Sequence, residues 1–416
     1  MTVARSRRVI PGARVTTDAR LAPITRRRCC RVQGSVALFF LLSLFPGFAA
    51  AEEAARPVSS QPEESRLRDI VEKLASPEFA GRSGAGGAKT ADFLVEQFRS
   101  MGLEPAFEGD FVQEIPSNEK GKPQGRNIGG WLRGTDPRLK DEWIVVGTHY
   151  DHLGVQNGTL FPGADDNASG VAMMLETARS IVAKPVRPLR SVLFLGFDLE
   201  ELGLFGSRYY VAHPAVPLDR ITLFVTADMI SRALAGVCEK DLFVFGTEHA
   251  PEMRPWITEA AVGKPLNVGI LGADILVLNR SDYGPFRSRN VPFLFFSTGE
   301  NPRYHSPRDD AASLDYPKFT AVSRLIHQVV ERAASTEETP KWRTEPDHPL
   351  QEAIALRDVM RQLLKNQDKL RIRTAQLYLM NNTLKSLDAI IARGLFTPED
   401  RAGVIQVARI ILFTVL

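Results

Sequence analysis

Five continuous apolar runs punctuate the middle of the chain: "WIVVGT" (143–148), "SVLFLGF" (191–197), "TLFVTA" (222–227), "DLFVF" (241–245) and "PFLFFS" (292–297). Each has strand length and none alternates with polar residues, the pattern of strands buried on both faces. Stretches of helical period separate several of them, at 168–183, 202–212 and 250–262. Runs and helices in alternation predict an α/β fold with a mostly parallel sheet. A helix over 317–333 closes this region, with Asp315 as its N-cap and Pro317 in its first turn.

Upstream, helices are predicted over 65–76 and 88–101. In the second, Ala91, Leu94, Val95, Phe98 and Met101 recur at helical spacing. Between them "FAGRSGAGGAKT" is glycine-rich but lacks the Gly-Lys-Ser/Thr ending of a phosphate loop, so no nucleotide site is read there. Downstream, the polar, proline-bearing 335–348 reads as a linker to a helical extension over 349–416. Helices are expected at 350–366 and 370–392, the second ended by Gly394, and a third begins at Thr397-Pro398-Glu399-Asp400. The apolar stripes of this extension are expected to dock on the body or to pair two subunits.

The first 51 residues read differently. They are rich in arginine, then run through "VALFFLLSLFPGFAAA", the pattern of a secretory signal peptide ending near Ala49-x-Ala51. Residues 52–64 follow as a polar linker, leaving 65–334 as the main domain. Export to the periplasm or beyond is expected, with no membrane association once the signal is removed; an uncleaved membrane anchor is the alternative. The segment 1–51 carries nine arginines and one aspartate, so the whole chain's +3 becomes about −5 without it. The basic balance thus belongs to the leader and gives no reason to expect nucleic acid as a partner. Beyond the leader Cys238 is the one cysteine, so the mature monomer has no internal disulfide to lean on.

Active sites of open parallel sheets form beyond the carboxyl ends of the strands. There "WIVVGT" leads into "HYDHLG", two histidines around an aspartate in a chain with seven histidines. "SVLFLGF" leads to Asp198, Glu200 and Glu201, "TLFVTA" to Asp228, and "PFLFFS" to a loop with "YHSPRDD" and His305. Asp165 and Asp166 open the helix near 168. Several carboxylates crowded at one edge repel one another and resist ionisation. A pair of divalent cations removes that conflict, and mixed imidazole and carboxylate donors favour zinc over magnesium or calcium.

In this order, "HYDHLG", "PGADDNASG", "DLEELGLFGS", "ADM", "SDYGPF" and "YHSPRDD" resemble the aminopeptidase Y family of co-catalytic zinc exopeptidases. Its relatives include glutamate carboxypeptidase, glutaminyl cyclase and the transferrin receptor ectodomain. The resemblance runs from about residue 66 to 333. It implies a three-layer α/β/α sandwich with a mixed, mostly parallel central sheet, to which the C-terminal helical extension is added. It also implies two zinc ions per chain: His149 and Asp228 on one, Glu201 and His305 on the other, Asp166 bridging both. By the same carry-over Glu200 is the general base, Asp151 steadies His149, and Tyr304 polarises the substrate carbonyl. Tyr283 stands where many members have a pocket histidine, and Thr226 where asparagine is common; both bear on substrate preference. The expected substrates are peptides or small amides and the expected reaction is release of N-terminal amino acids. Glutaminyl cyclisation, carboxypeptidase action and receptor-like binding without catalysis are the alternatives.

Overall fold

The computed structural model describes residues 59–117, 123–273 and 277–415, which belong to one compact unit. The signal peptide and most of the linker expected after it lie outside the described residues. Among the described residues there are eleven strands: β1 (Glu104–Pro105), β2 (Val112–Pro116), β3 (Pro123–Leu132), β4 (Trp143–His149), β5 (Val155–Gln156), β6 (Thr159–Leu160), β7 (Ser191–Phe197), β8 (Ile221–Ala227), β9 (Asp241–Phe245), β10 (Asn267–Leu271) and β11 (Phe293–Ser297). Nine of them form one mixed sheet in the order β1-β3-β7-β4-β8-β11-β9-β10, with β2 on β3; β5 and β6 form a small hairpin apart. The centre of the sheet, β7-β4-β8-β11, is parallel, and antiparallel pairings lie toward its edges.

The apolar runs mark β4, β7, β8, β9 and β11, and every residue of these five strands is buried. Helices cover both faces. On one side pack α1 (Glu64–Leu74), α2 (Ala85–Ser100), α3 (Gly170–Val182), α5 (Arg254–Ala261) and α7 (Tyr316–Ser335). On the other pack α4 (Phe205–Ala212), α6 (Tyr283–Arg287) and the C-terminal helices α8 (Leu350–Lys365), α9 (Thr374–Arg393) and α10 (Pro398–Val415). The extension therefore forms much of one outer layer: Ala353, Leu356, Met360, Leu363, Met380 and Leu387 share a buried cluster with Phe243, Phe245 and Phe295 of the sheet.

Local signals hold where they are chemical. The Asp315 side chain accepts Lys318 N–H at 3.0 Å at the start of α7. At α10 Thr397 Oγ1 accepts Asp400 N–H at 3.2 Å while Asp400 Oδ2 accepts Thr397 N–H at 3.0 Å, a reciprocal cap. The antiparallel strands β2 and β3 and the edge strand β10 are not marked by the apolar pattern. β3 contains "NIGGWL", where Gly129 and Gly130 leave room for Phe107 and Phe98, and β10 is only half-buried. Glycine and one-sided burial erase the continuous apolar signature.

One buried group of α7 makes stability depend on pH. Burial pushes the His327 imidazole down to about 4 from its usual 6.5. Below pH 6.5 the unfolded chain takes up a proton that the folded chain refuses, so stability falls as pH drops from 6.5 toward 4 and levels off below. The loss from this group is roughly 3 kcal/mol. His327→Leu should flatten that part of the curve, as read from urea midpoints between pH 7 and 4.

Candidate metal centre

The parallel strands deliver their carboxyl ends to one edge. His149 ends β4, and β7 runs into a turn that carries Glu200 and Glu201. In that turn Gly203 N–H and Leu204 N–H both donate to Glu200 O, and Leu199 and Leu204 adopt positive φ. The tight coil points the two adjacent glutamates in different directions. Asp228 follows β8, and Asp166 lies in the coil before α3. The peptide bond between Asp166 and Asn167 is cis. His305 comes from the loop after β11, at φ +48°.

Two clusters result. His149 Nε2 lies 3.5 Å from Asp166 Oδ1 and 3.5 Å from Asp228 Oδ1. His305 Nε2 lies 3.2 Å from Asp166 Oδ2 and 3.1 Å from Glu201 Oε2. Asp166 thus offers one oxygen to each. His149, Asp166 and Asp228 form one group able to hold a metal ion; His152, Asp166 and Glu201 form a second. Donors at ~2.0–2.2 Å from a tetrahedral zinc sit about 3.4 Å from one another, the spacing found here. His149 Nε2 and Asp228 Oδ1 are buried and have no hydrogen-bond partner, so the donor set fits divalent metal better than it fits itself.

The electrostatics agree. Burial pushes the Glu200 carboxyl well above its usual range, with Asp282, Asp228 and Asp166 adding to the rise against His149. Burial and the neighbouring Glu201 raise Asp166 as well. The His305 imidazole loses solvation, yet hydrogen bonds to Asp166 and Glu201 carry it up to about 10. Protons are being recruited to a place that cations would serve better.

Asp151 makes contacts beyond His149. Its Oδ1 lies 3.6 Å from His149 Nδ1, and the carboxylate also accepts the N–H groups of Glu200 (3.0 Å) and Glu201 (3.3 Å). One buried anion thus ties the end of β4 to the turn after β7. Tyr304 stacks on His305 with ring centroids 3.8 Å apart. Asp165, the other aspartate of the pair, turns away to accept Ser231 N–H and Arg232 N–H.

Two participants carried no assigned role in the sequence. His152 donates or accepts through Nδ1 at 2.8 Å from Glu201 Oε1, and it was visible as the second histidine of "HYDHLG". Asp282 is buried beneath the site and pushed up to about 7 by its burial; its neighbour Ser281 donates to Asp228 Oδ2 at 3.1 Å. Nothing in the spacing of "SDYGPF" distinguishes it from a helix cap.

The mixed α/β sheet thus gathers two imidazole–carboxylate clusters around one shared aspartate, donor sets for two metal ions side by side. The profile of peptidase family M28 matches residues 127–330 of this chain. Aminopeptidase YwaD of Bacillus subtilis is 29% identical over 208 residues, covering 48% of this chain and 42% of that protein. Leupeptin-inactivating enzyme 1 of Streptomyces exfoliatus is 31% identical over 169 residues, covering 40% and 34%. The matched region spans less than half the length of either relative. Among solved structures, the LapA aminopeptidase of Legionella pneumophila superposes with a TM-score of 0.52 at 21% identity, covering 67% of this chain and 73% of that one. A glutaminyl cyclase of Porphyromonas gingivalis superposes with a TM-score of 0.52 at 20% identity, covering 65% and 98%. These two likenesses concern the fold.

Proposed function

We propose that this protein is a zinc-dependent exopeptidase that releases N-terminal amino acids from peptides. The observation that carries the reading is the division of Asp166 between two donor clusters, with Glu200 beside them. His149 and Asp228 would hold one zinc, Glu201 and His305 the other, with Asp166 common to both. Bound there, the two ions would supply Lewis acidity toward a water molecule and the substrate carbonyl. The chain's own groups do the proton work. Glu200 takes a proton as the water oxygen bonds to the carbonyl carbon, then returns it to the nitrogen as the C–N bond breaks. Asp151 keeps Glu200 and His149 in register, and the Tyr304 hydroxyl would donate to the developing oxyanion. The names of the matched relatives support the aminopeptidase reading over cyclisation. The arginine-rich leader and its apolar run support export as the setting.

Elemental analysis of the zinc-loaded protein should return two zinc ions per chain. Removing them with 1,10-phenanthroline should abolish hydrolysis, and zinc should restore it. A panel of amino-acid amides, N-blocked peptides and N-terminal glutaminyl peptides should show turnover of the first only. One metal or none per chain, or preference for blocked or glutaminyl substrates, would overturn the reading.

A further inference from the structure

The glycine-rich segment "FAGRS" has no part in the chemistry above, yet it lies directly behind the metal-site loops. Arg82 is fully buried, and each of its five N–H donors meets a main-chain carbonyl. Nε donates to Tyr150 O at 2.8 Å. Nη1 donates to Pro162 O at 2.6 Å and Leu74 O at 3.2 Å. Nη2 donates to Gly163 O at 2.6 Å and Asp166 O at 3.1 Å. Tyr150 sits between His149 and Asp151; Pro162 and Gly163 lead into Asp165 and Asp166. One rigid fork therefore joins the loop that presents His149 to the coil that presents Asp166.

The main chain of the same segment repeats the grip. His152 N–H donates to Arg82 O at 3.3 Å, and Gly154 N–H to Gly81 O at 3.0 Å. To make these contacts Ala80, Gly81 and Arg82 all adopt positive φ, at +47°, +62° and +52°. That conformation is disfavoured for any residue with a Cβ, and it persists here in two of them. Gly81 admits no side chain at all: a Cβ would stand 2.5 Å from Gly154 O and 2.6 Å from Phe161 O. Burial works against the guanidinium charge, and the carboxylates of Asp166, Asp309, Asp151 and Glu201 favour it.

From this geometry we infer that Arg82 is a positioning residue of the metal centre, fixing the distance between His149 and Asp166 by clamping the carbonyls of the loops that carry them. The inference rests on the metal-site reading above. Lysine at this position has no planar fork and at most three donors from one point, so it cannot hold five carbonyls on three separate segments. A second arginine provides the control. Arg190 is equally buried, with Nε donating to Glu142 Oε2 at 2.9 Å and Nη2 to Thr339 Oγ1 at 2.8 Å, at the opposite end of the sheet.

The test compares the full-length protein with Arg82→Lys, Arg82→Gln and Arg190→Lys by zinc titration calorimetry, thermal unfolding and steady-state kinetics. Partners that orient metal ligands change metal affinity by about 10- to 100-fold when removed. Arg82→Lys is expected to lose zinc affinity in that range and to lower kcat with little change in KM. Arg190→Lys is expected to lower the melting temperature while keeping wild-type zinc affinity. Wild-type zinc affinity in a folded Arg82→Lys or Arg82→Gln protein would overturn the inference. So would an equal affinity loss in Arg190→Lys. Failure of both Arg82 variants to fold with zinc present, while Arg190→Lys folds, would make Arg82 a purely structural residue and overturn it too. A wild-type protein that binds no zinc would instead defeat the metal-site reading.

Discussion

Glu200→Gln is expected to keep both metals and the fold while losing most turnover. Glutamine has the size of glutamate and can still hydrogen-bond to a water in the site, but it cannot take a proton. Glu200 has none of the ligand contacts that Glu201 makes: Glu201 meets His305 at 3.1 Å and His152 at 2.8 Å, whereas Glu200 is held in place through its own N–H by Asp151. Positioned general bases contribute about 10²–10⁴-fold, and the loss should fall in kcat. Glu201→Gln should instead lower zinc occupancy, because it removes charge from a donor cluster. Metal analysis and kinetics on the two variants separate the roles. Zinc loss in Glu200→Gln with retention in Glu201→Gln would reverse the assignment. Full activity with both metals in Glu200→Gln would remove Glu200 as the base.

The second large effect is expected far from the metal site, in the C-terminal layer. Glu352 of α8 is fully buried and accepts from Arg401 Nε at 2.7 Å and Nη2 at 2.9 Å. It also accepts Gly272 N–H at 2.9 Å, so the pair joins α8, α10 and the end of β10. Burial opposes the Glu352 charge, but hydrogen bonds from His348 and Arg401 override it and hold the carboxyl at about 2. Arg401→Met leaves that anion in the core without its guanidinium, at a cost of about 3–5 kcal/mol. The urea midpoint at pH 7 should fall accordingly. The folded-state pKa is depressed, so in the wild type this contribution is present above the usual glutamate range and fades as pH falls toward 2. The gap between wild type and Arg401→Met should therefore narrow in acid. An unchanged midpoint at pH 7 would show that the C-terminal helices are not tied to the body through this pair.

The same layer bears on truncation. The sequence makes the extension look dispensable for chemistry, since every metal and base candidate precedes it. In the fold it covers Phe243, Phe245 and Phe295 of the sheet and holds Gly272, the residue after β10. Ending the chain near residue 340 would uncover that face, and stability should fall far more than loss of an appendage would cause.

Much of this protein was legible in one dimension. Continuous apolar runs announced the five strands buried on both faces, because such strands have no polar side to interrupt them. The caps at Asp315, Thr397 and Gly394 were legible because capping chemistry is local. The polar residues after each run marked the site, because strand ends in a parallel sheet meet at one edge. Other features needed three dimensions. β3 and β10 carry glycine or a half-exposed face and leave no run to read. Arg82, Asp282 and Glu352 look like ordinary surface charges in the sequence. What distinguishes them is the set of atoms each one meets: five carbonyls from three separate segments, the floor beneath Asp228, a guanidinium 49 residues away. Apolar periodicity and capping depend on neighbours within a few positions, so the sequence determines them by itself. The partner that makes a buried charge tolerable comes from a distant segment, so only the tertiary structure decides which charges build the site and which hold the layers together.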